Sequence, residues 1–384
     1  MKVRCGHLFD TSLGKFLENV DITVEKGKIV SVSEADNSPV DADMSNCFVL
    51  PGFADSHTHL CFDVGDEVKQ IGEAAGYQAL VAAKNARKAI LSGVTTLRDA
   101  GEKDYVDFSV KRGIEEGLIP GPRMLAAGPG IMRTGGHMWF MGEEADGEAE
   151  VMKGVRRQLR SGVDYIKIFV SGGATSHFTG TVTPEMTKKE IDTIIYEAHT
   201  AGKKVGAHTH GGDAATWAIE AGVDAIEHGC FLTEEQLLLM KEHKTVLVLT
   251  SGIQRAIRDC ETNSDFMREK AGGAYDNYLS VIKRAAELGI EMAAGTDTNH
   301  GNIAEEAVFL SKAGVSFAEA VKVLTINGAR LCSLETLAGS IEAGKYADMT
   351  VFEEDPTNNI SVLYNPSWVF KEGKIIKTPA GIVF

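Results

Sequence analysis

Residues 51–59 read Pro51-Gly52-Phe53-Ala54-Asp55-Ser56-His57-Thr58-His59. An apolar run closes in small and polar residues, the pattern of a buried strand running out to an exposed end. Side chains two apart in a strand share a face, so the imidazoles of His57 and His59 can reach one metal ion. A His-x-His pair also arises by chance, as two surface histidines in a loop. Its meaning therefore depends on what the rest of the chain places beside it.

Working outward, similar short runs recur. With the first at 48–56, those at 94–99, 122–128, 165–171, 204–208, 224–228, 245–250 and 291–297 make eight. Segments of helical period lie between them. In 190–200, Ile191, Ile194, Ile195 and Ala198 fall at i, i+3, i+4 and i+7. Thr187 and Glu190 have capping-box spacing, with Met186 and Ile191 placed as a hydrophobic staple and Gly202 as the stop. Thr233 and Gln236, with Leu232 and Leu237, repeat the device. Strands alternating with helices imply parallel pairing through right-handed crossovers. Eight such units in about 250 residues favour an α/β protein of the (β/α)8 TIM barrel type over a doubly wound open sheet.

The two ends differ from the middle. Residues 1–47 alternate in strand-like pieces broken by Gly14, Gly27 and Asp36-Asn37-Ser38-Pro39, and strands are expected again at 348–353, 368–371 and 374–376. Neither end carries enough apolar residues to fold alone. Residues 1–50 and 339–384 are therefore expected to combine into a small β-sandwich domain built from both termini. The barrel, residues 51–338, is inserted between them.

Composition narrows the class. Apolar residues at 43% and charged residues at 24% are ordinary for a globular chain. Glycine, at 41 of 384 residues, stands above the usual share of about 7%, while proline numbers only nine, which points to tight turns and close backbone approaches. The charge sum, 39 − 54 = −15, disfavours nucleic acid and anionic membranes as partners. No run nears the roughly 18 apolar residues of a membrane span, and no apolar region near the start marks a secretory signal. Six scattered cysteines without a CxxC pair read as reduced thiols. A cytoplasmic protein with a small-molecule or dipeptide substrate is expected, with a homo-oligomer left open.

The barrel reading also gathers the chemistry. Lys167 lies in the fourth run, His208 ends the fifth, His228 the sixth and Asp297 the eighth. C-terminal ends of barrel strands open on one face, where catalytic residues collect. Each residue has a plain alternative: a snorkelling Lys167, a satisfied core histidine at 228, a helix-capping Asp297. Chance does not readily bring four of 11 histidines, an aspartate and a lysine to one face.

The stretch 51–59, Lys167, His208, His228 and Thr296-Asp297 together resemble the metal-dependent amidohydrolase superfamily. Gly339-Ser340-Ile341-Glu342-Ala343-Gly344-Lys345-Tyr346-Ala347-Asp348 is similar to the segment that returns such chains to their β domain. Gly93-Val94-Thr95-Thr96-Leu97-Arg98-Asp99, Thr134-Gly135-Gly136-His137 and Asp164-Tyr165-Ile166-Lys167-Ile168 most resemble the branch of Xaa-Pro dipeptidases, arginine carboxypeptidases and imidazolonepropionase-like hydrolases. The resemblance implies two divalent metal ions, zinc first, with cobalt, manganese or iron as alternatives. His57, His59 and Asp297 would hold one and His208 and His228 the other, bridged by Lys167 carboxylated with carbon dioxide. It implies hydrolysis of a peptide-type C–N bond, in a dipeptide or N-acyl amino acid, by a metal-activated hydroxide. Asp297 would take the proton and pass it to the leaving amine. The alternatives are a cyclic amide hydrolase of imidazolonepropionase type, a heterocycle deaminase, and a catalytically silent barrel that binds a metal or small molecule.

Substrate contacts are expected from loops on the same face. His137 follows the third run in a Gly-rich turn, placed for a substrate carbonyl or carboxylate or else solvated. His210, where relatives often carry Tyr, is the second substrate-binding candidate. It also competes with His208 for the metal, and His208 is preferred because it directly ends its strand. His177 and His300 are further candidates. Arg98 either neutralises a substrate carboxylate or, the preferred reading, braces the barrel mouth through a buried ion pair. Residues 251–273, with Arg255, Arg258 and Arg268, are long enough for a lid or else form a solvated amphipathic helix. Trp139, Phe140 and Met141 offer an apolar wall or core packing, and the acidic stretch 143–150 a solvated surface.

Overall fold

Gly52 divides the run expected at 48–56. Ala42–Pro51 forms one strand and Phe53–Thr58 another, in different sheets. A Cβ at position 52 would lie 2.3 Å from Thr95 Oγ1, so the chain passes between the two sheets only as glycine. The computed structural model describes residues 1–174, 176 and 179–383.

Beyond that break the strands run parallel: β1 (Phe53–Thr58), β2 (Val94–Asp99), β3 (Arg123–Ala126), β4 (Ile166–Phe169), β5 (Val205–Thr209), β6 (Ala225–His228), β7 (Val246–Leu249) and β8 (Met292–Ala294). Each lies within or overlaps one of the eight expected runs. β1 to β3 form one ladder and β4 to β8 another, which the short strands Ile131–Met132 and Glu143–Glu144 extend beyond β4. Those two short strands lie in stretches too brief to show a period. An isolated parallel bridge between Thr58 and Asp297 joins the end of β1 to the chain just past β8. On the other side, the Asp164 amide donates to the Ala126 carbonyl at 2.9 Å, linking β3 to the entry of β4. β1, β2, β4, β5, β6 and β8 are buried along their whole length, as parallel strands covered on both faces must be.

The helices follow their sequence signals. Thr187 and Glu190 close a reciprocal capping box on Lys188–Thr200, and Thr233 and Gln236 do the same for Glu234–His243. Ile191, Ile194 and Ile195 are buried, each contributing about 2 kcal/mol relative to exposure. Gly202, at φ 71°, ends the first of these helices. No helix among the described residues is long and apolar enough to cross a membrane.

Both chain ends enter one eight-stranded sheet. Lys2–Asp10 pairs antiparallel with Lys15–Glu25 and parallel with Ala42–Pro51, which in turn pairs antiparallel with Met349–Phe352. Trp368–Lys371 and Lys374–Thr378 extend the sheet on that side. Its own apolar cluster includes Val3, Leu8, Ile22, Val49, Val351 and Phe370. Arg123, at the start of β3, links this sheet to the parallel strands. It donates to Asp348 at 3.0 Å and Glu372 at 2.8 Å, and its guanidinium lies 4.2 Å over the Tyr346 ring. Asp348 is buried, so removing its partner leaves an uncompensated carboxylate. Arg123→Ala should therefore lower stability by about 3 kcal/mol, read as a drop in the thermal midpoint. An unchanged midpoint would show that the two parts are held by apolar packing alone.

Candidate metal centre

The C-terminal ends of the parallel strands bring the expected side chains to one place. Ligand atoms of His57, His59 and Asp297 lie within 4.8 Å of one another. His57 Nε2 stands 3.7 Å from Asp297 Oδ2, and His228 Nδ1 stands 4.0 Å from the same oxygen. The His208 and His228 rings are 4.5 Å apart, and the His57 and His228 rings 4.8 Å. Lys167, buried in β4, turns its ammonium to the same region and pairs with Glu227. His228 and Asp297 both hold positive φ, 75° and 55°, an uncommon backbone state for non-glycine residues that concentrates at functional sites.

The rings are oriented from behind. His59 Nδ1 lies 3.0 Å from the Gly101 carbonyl, which can only accept, so this nitrogen donates and Nε2 is left as an acceptor. His208 Nε2 lies 3.3 Å from the Gly172 carbonyl, and His228 Nδ1 lies 2.7 Å from Thr250 Oγ1. Burial pushes His59 down to about 3 and, with neighbouring histidines, holds His208 and His228 well below the usual imidazole value. They are neutral near pH 7, the form that binds metals. Burial also opposes charge on His57, but Glu227 and Asp297 outweigh it and raise the ring. Against burial, Asp297 is held far down by His57, His59 and His228, so it is a carboxylate. Both His57 ring nitrogens are buried and make no well-formed hydrogen bond among the described residues, with Glu227 3.2 Å from Nδ1 and Asp297 3.7 Å from Nε2. Clustered neutral imidazoles, an ionised aspartate and a His57 Nε2 without a hydrogen bond fit a divalent cation.

A cavity of about 40 Å³ opens onto this cluster, and both His137 and His210 line it. The His137 ring lies 4.2 Å from that of His208, and the His210 ring stacks 5.0 Å from that of His228. His210 Nδ1 is buried with no hydrogen-bond partner among the described residues, and burial lowers this ring to about 4. Met138 and Phe169 supply the apolar wall, whereas Trp139 is half exposed outside it. His300 is structural: Nε2 lies 2.9 Å from the Phe62 carbonyl and Nδ1 3.3 Å from Thr58 Oγ1. His177 lies outside the described residues. The stretch 251–273 forms the helix Ser251–Asp259 and, after a turn, the start of the helix Asp265–Leu288, and Gln254 and Ile257 face the cavity. Its arginines turn elsewhere. Arg255 pairs with Glu305, Arg258 sits 4.5 Å over the Tyr275 ring, and Arg268 donates to the Arg258 carbonyl.

The sequence matches the profile of the amidohydrolase family over residues 48–376. The chain belongs to the amidohydrolase family. Among solved structures it is similar to a Xaa-Pro dipeptidase with methionine bound in the active site, at 30% identity and a TM-score of 0.91, covering 98% of this chain and 99% of that one. It is 28% identical over 368 residues to ochratoxinase of Aspergillus niger, covering 86% of this chain and 76% of that protein. It is 22% identical over 374 residues to imidazolonepropionase of Picrophilus torridus, covering 91% and 90%.

Beneath the cluster, this amidohydrolase carries a carboxylate that the sequence pattern does not single out. Glu227 is fully buried, accepts from Arg98 Nη1 at 2.9 Å, pairs with Lys167 and lies 3.2 Å from His57 Nδ1. Arg98 also donates to the Ser56 carbonyl at 3.1 Å and stacks 3.7 Å over the Tyr165 ring, so it braces the strands and does not line the cavity. Burial disfavours charge on Glu227, yet Lys167, His57 and Arg98 hold it well below the usual carboxylate value. Burial lowers Lys167 in turn, against the pull of Glu227. The available signal was an acid inside a strand whose neighbours are all apolar or ligands, Ile226-Glu227-His228. Glu227→Gln should cost about 3–5 kcal/mol of stability by stranding two buried cations. It should also weaken metal binding about 10–100-fold by releasing His57. Denaturant unfolding and metal titration measure the two effects, and a variant retaining both properties would remove Glu227 from the centre.

Proposed function

We propose that this amidohydrolase is a binuclear metal-dependent hydrolase that cleaves a peptide-type C–N bond in a dipeptide or N-acyl amino acid. The observation that carries the reading is the convergence of His57, His59, Asp297, His208, His228 and Lys167 at one end of the parallel strands. We read β1 to β8 as one closed (β/α)8 barrel of residues 51–338. Residues 1–50 and 339–384 then form a β-sandwich domain beside it. His57, His59 and Asp297 would hold one ion and His208 and His228 a second. Carboxylation of Lys167 would exchange its ion pair with Glu227 for an anionic ligand to the two ions, whose positive charge would then offset Glu227 as well. When bound, such ions, zinc above all, polarise a carbonyl and lower the pKa of water.

The remaining work falls to the protein. Asp297 is ionised, lines the cavity and lies within 4.0 Å of His57 and His228. It would accept a proton from the attacking water and deliver it to the departing amine nitrogen, so water and amide become acid and amine. His137 lines the cavity and would contact the substrate carbonyl oxygen or carboxylate. The orphaned Nδ1 of His210 offers a second polar contact. The Xaa-Pro dipeptidase and ochratoxinase similarities favour an exocyclic amide over the cyclic one of imidazolonepropionase, whose identity is lower.

The metal-loaded protein should hydrolyse members of a library of dipeptides and N-acyl amino acids, and chelation should abolish the turnover. No turnover across the library would overturn the reading. Asp297→Asn should lower kcat by about 10²–10⁴-fold, and Lys167→Ala should remove nearly all activity and lower the thermal midpoint, because Glu227 loses a buried partner.

A further inference from the structure

One more charged group faces the cavity. Glu67 opens the short helix Glu67–Ile71 and is only 8% exposed, yet its side chain lines the same cavity as His59, His210 and Asp297. It has no hydrogen bond or ion pair with any described residue. Capping does not explain it. Asp66 already caps this helix by accepting from the Lys69 amide at 3.0 Å. An unpartnered carboxyl in an apolar wall beside another carboxylate is costly for the free protein, and a bound cation removes that cost.

A zwitterion fits this lining, with its carboxylate toward the unpartnered Nδ1 of His210 and its ammonium toward Glu67. In a dipeptide the free α-ammonium sits two bonds from the scissile carbonyl carbon, on the acyl half. In an N-acyl amino acid that cation is missing.

We propose that Glu67 is a specificity residue that receives the free α-ammonium of a dipeptide, so that the protein selects dipeptides over N-acyl amino acids. This rests on the hydrolase reading above and names its substrate class. Gln254 and Ile257, the neutral residues that the helix Ser251–Asp259 brings to the cavity, offer no competing charge.

The test uses matched pairs: Leu-Pro with N-acetyl-Leu-Pro, and Leu-Phe with N-acetyl-Leu-Phe. Each is titrated calorimetrically into chelator-treated protein, and turnover of the same compounds is followed in the metal-loaded protein. The wild type should favour the free amine about tenfold or more, the size expected for one charged hydrogen bond. Glu67→Gln should erase the preference with an unchanged thermal midpoint, and Glu67→Asp should keep part of it. Equal binding within the pairs, a preference for the acetylated form, or a preference that survives Glu67→Gln would overturn the assignment. The wild-type comparison needs no variant, so it decides even if a substitution fails to fold. A protein that binds the free amine selectively but hydrolyses neither compound would sink the hydrolase reading and leave Glu67 in place.

Discussion

One buried carboxylate ties the interior together. Glu227 on β6 meets Arg98 from β2, Lys167 from β4 and His57 from β1, all without solvent. Taking such ions out of water costs several kcal/mol each, and only a complete set of partners offsets it. The four strands must therefore arrive together, in register, for the charges to balance. That requirement sets His57 near the end of β1 beside Lys167 from inside β4.

Above this layer the charge pattern changes. The imidazoles of His59, His208 and His228 are driven neutral by burial, while Asp297 is kept ionised among them. Lone pairs and a carboxylate face one small volume, which is the environment a divalent cation completes. Positive φ at His228 and Asp297 means that the backbone is bent to deliver these two side chains where the strands end. Glu67 lines the same cavity without a described partner.

Much of this was legible in the sequence, for a physical reason. A residue that ends a parallel strand has its position fixed by the fold, so the sites of His57, His208, His228 and Asp297 followed once the strands were recognised. Glu227 did not, because a strand buried on both faces has no alternation to mark which side an acid occupies. The break at Gly52 was hidden because the apolar run continues across it, and only the approach of Thr95 reveals why glycine is needed. Ile131–Met132 was too short for a period to appear. Glu67 could not be found this way, because nothing in its own stretch marks it as buried and only the fold brings it to the cavity.

On the proposed reading, six side chains at and around the strand ends, held from below by Glu227, form a two-ion centre. The direct measurement is metal content per folded chain by elemental analysis, after loading with zinc and removal of loosely bound ions. Two equivalents per chain are expected. A single equivalent would contradict the bridging role of Lys167, and none would remove the metal centre altogether.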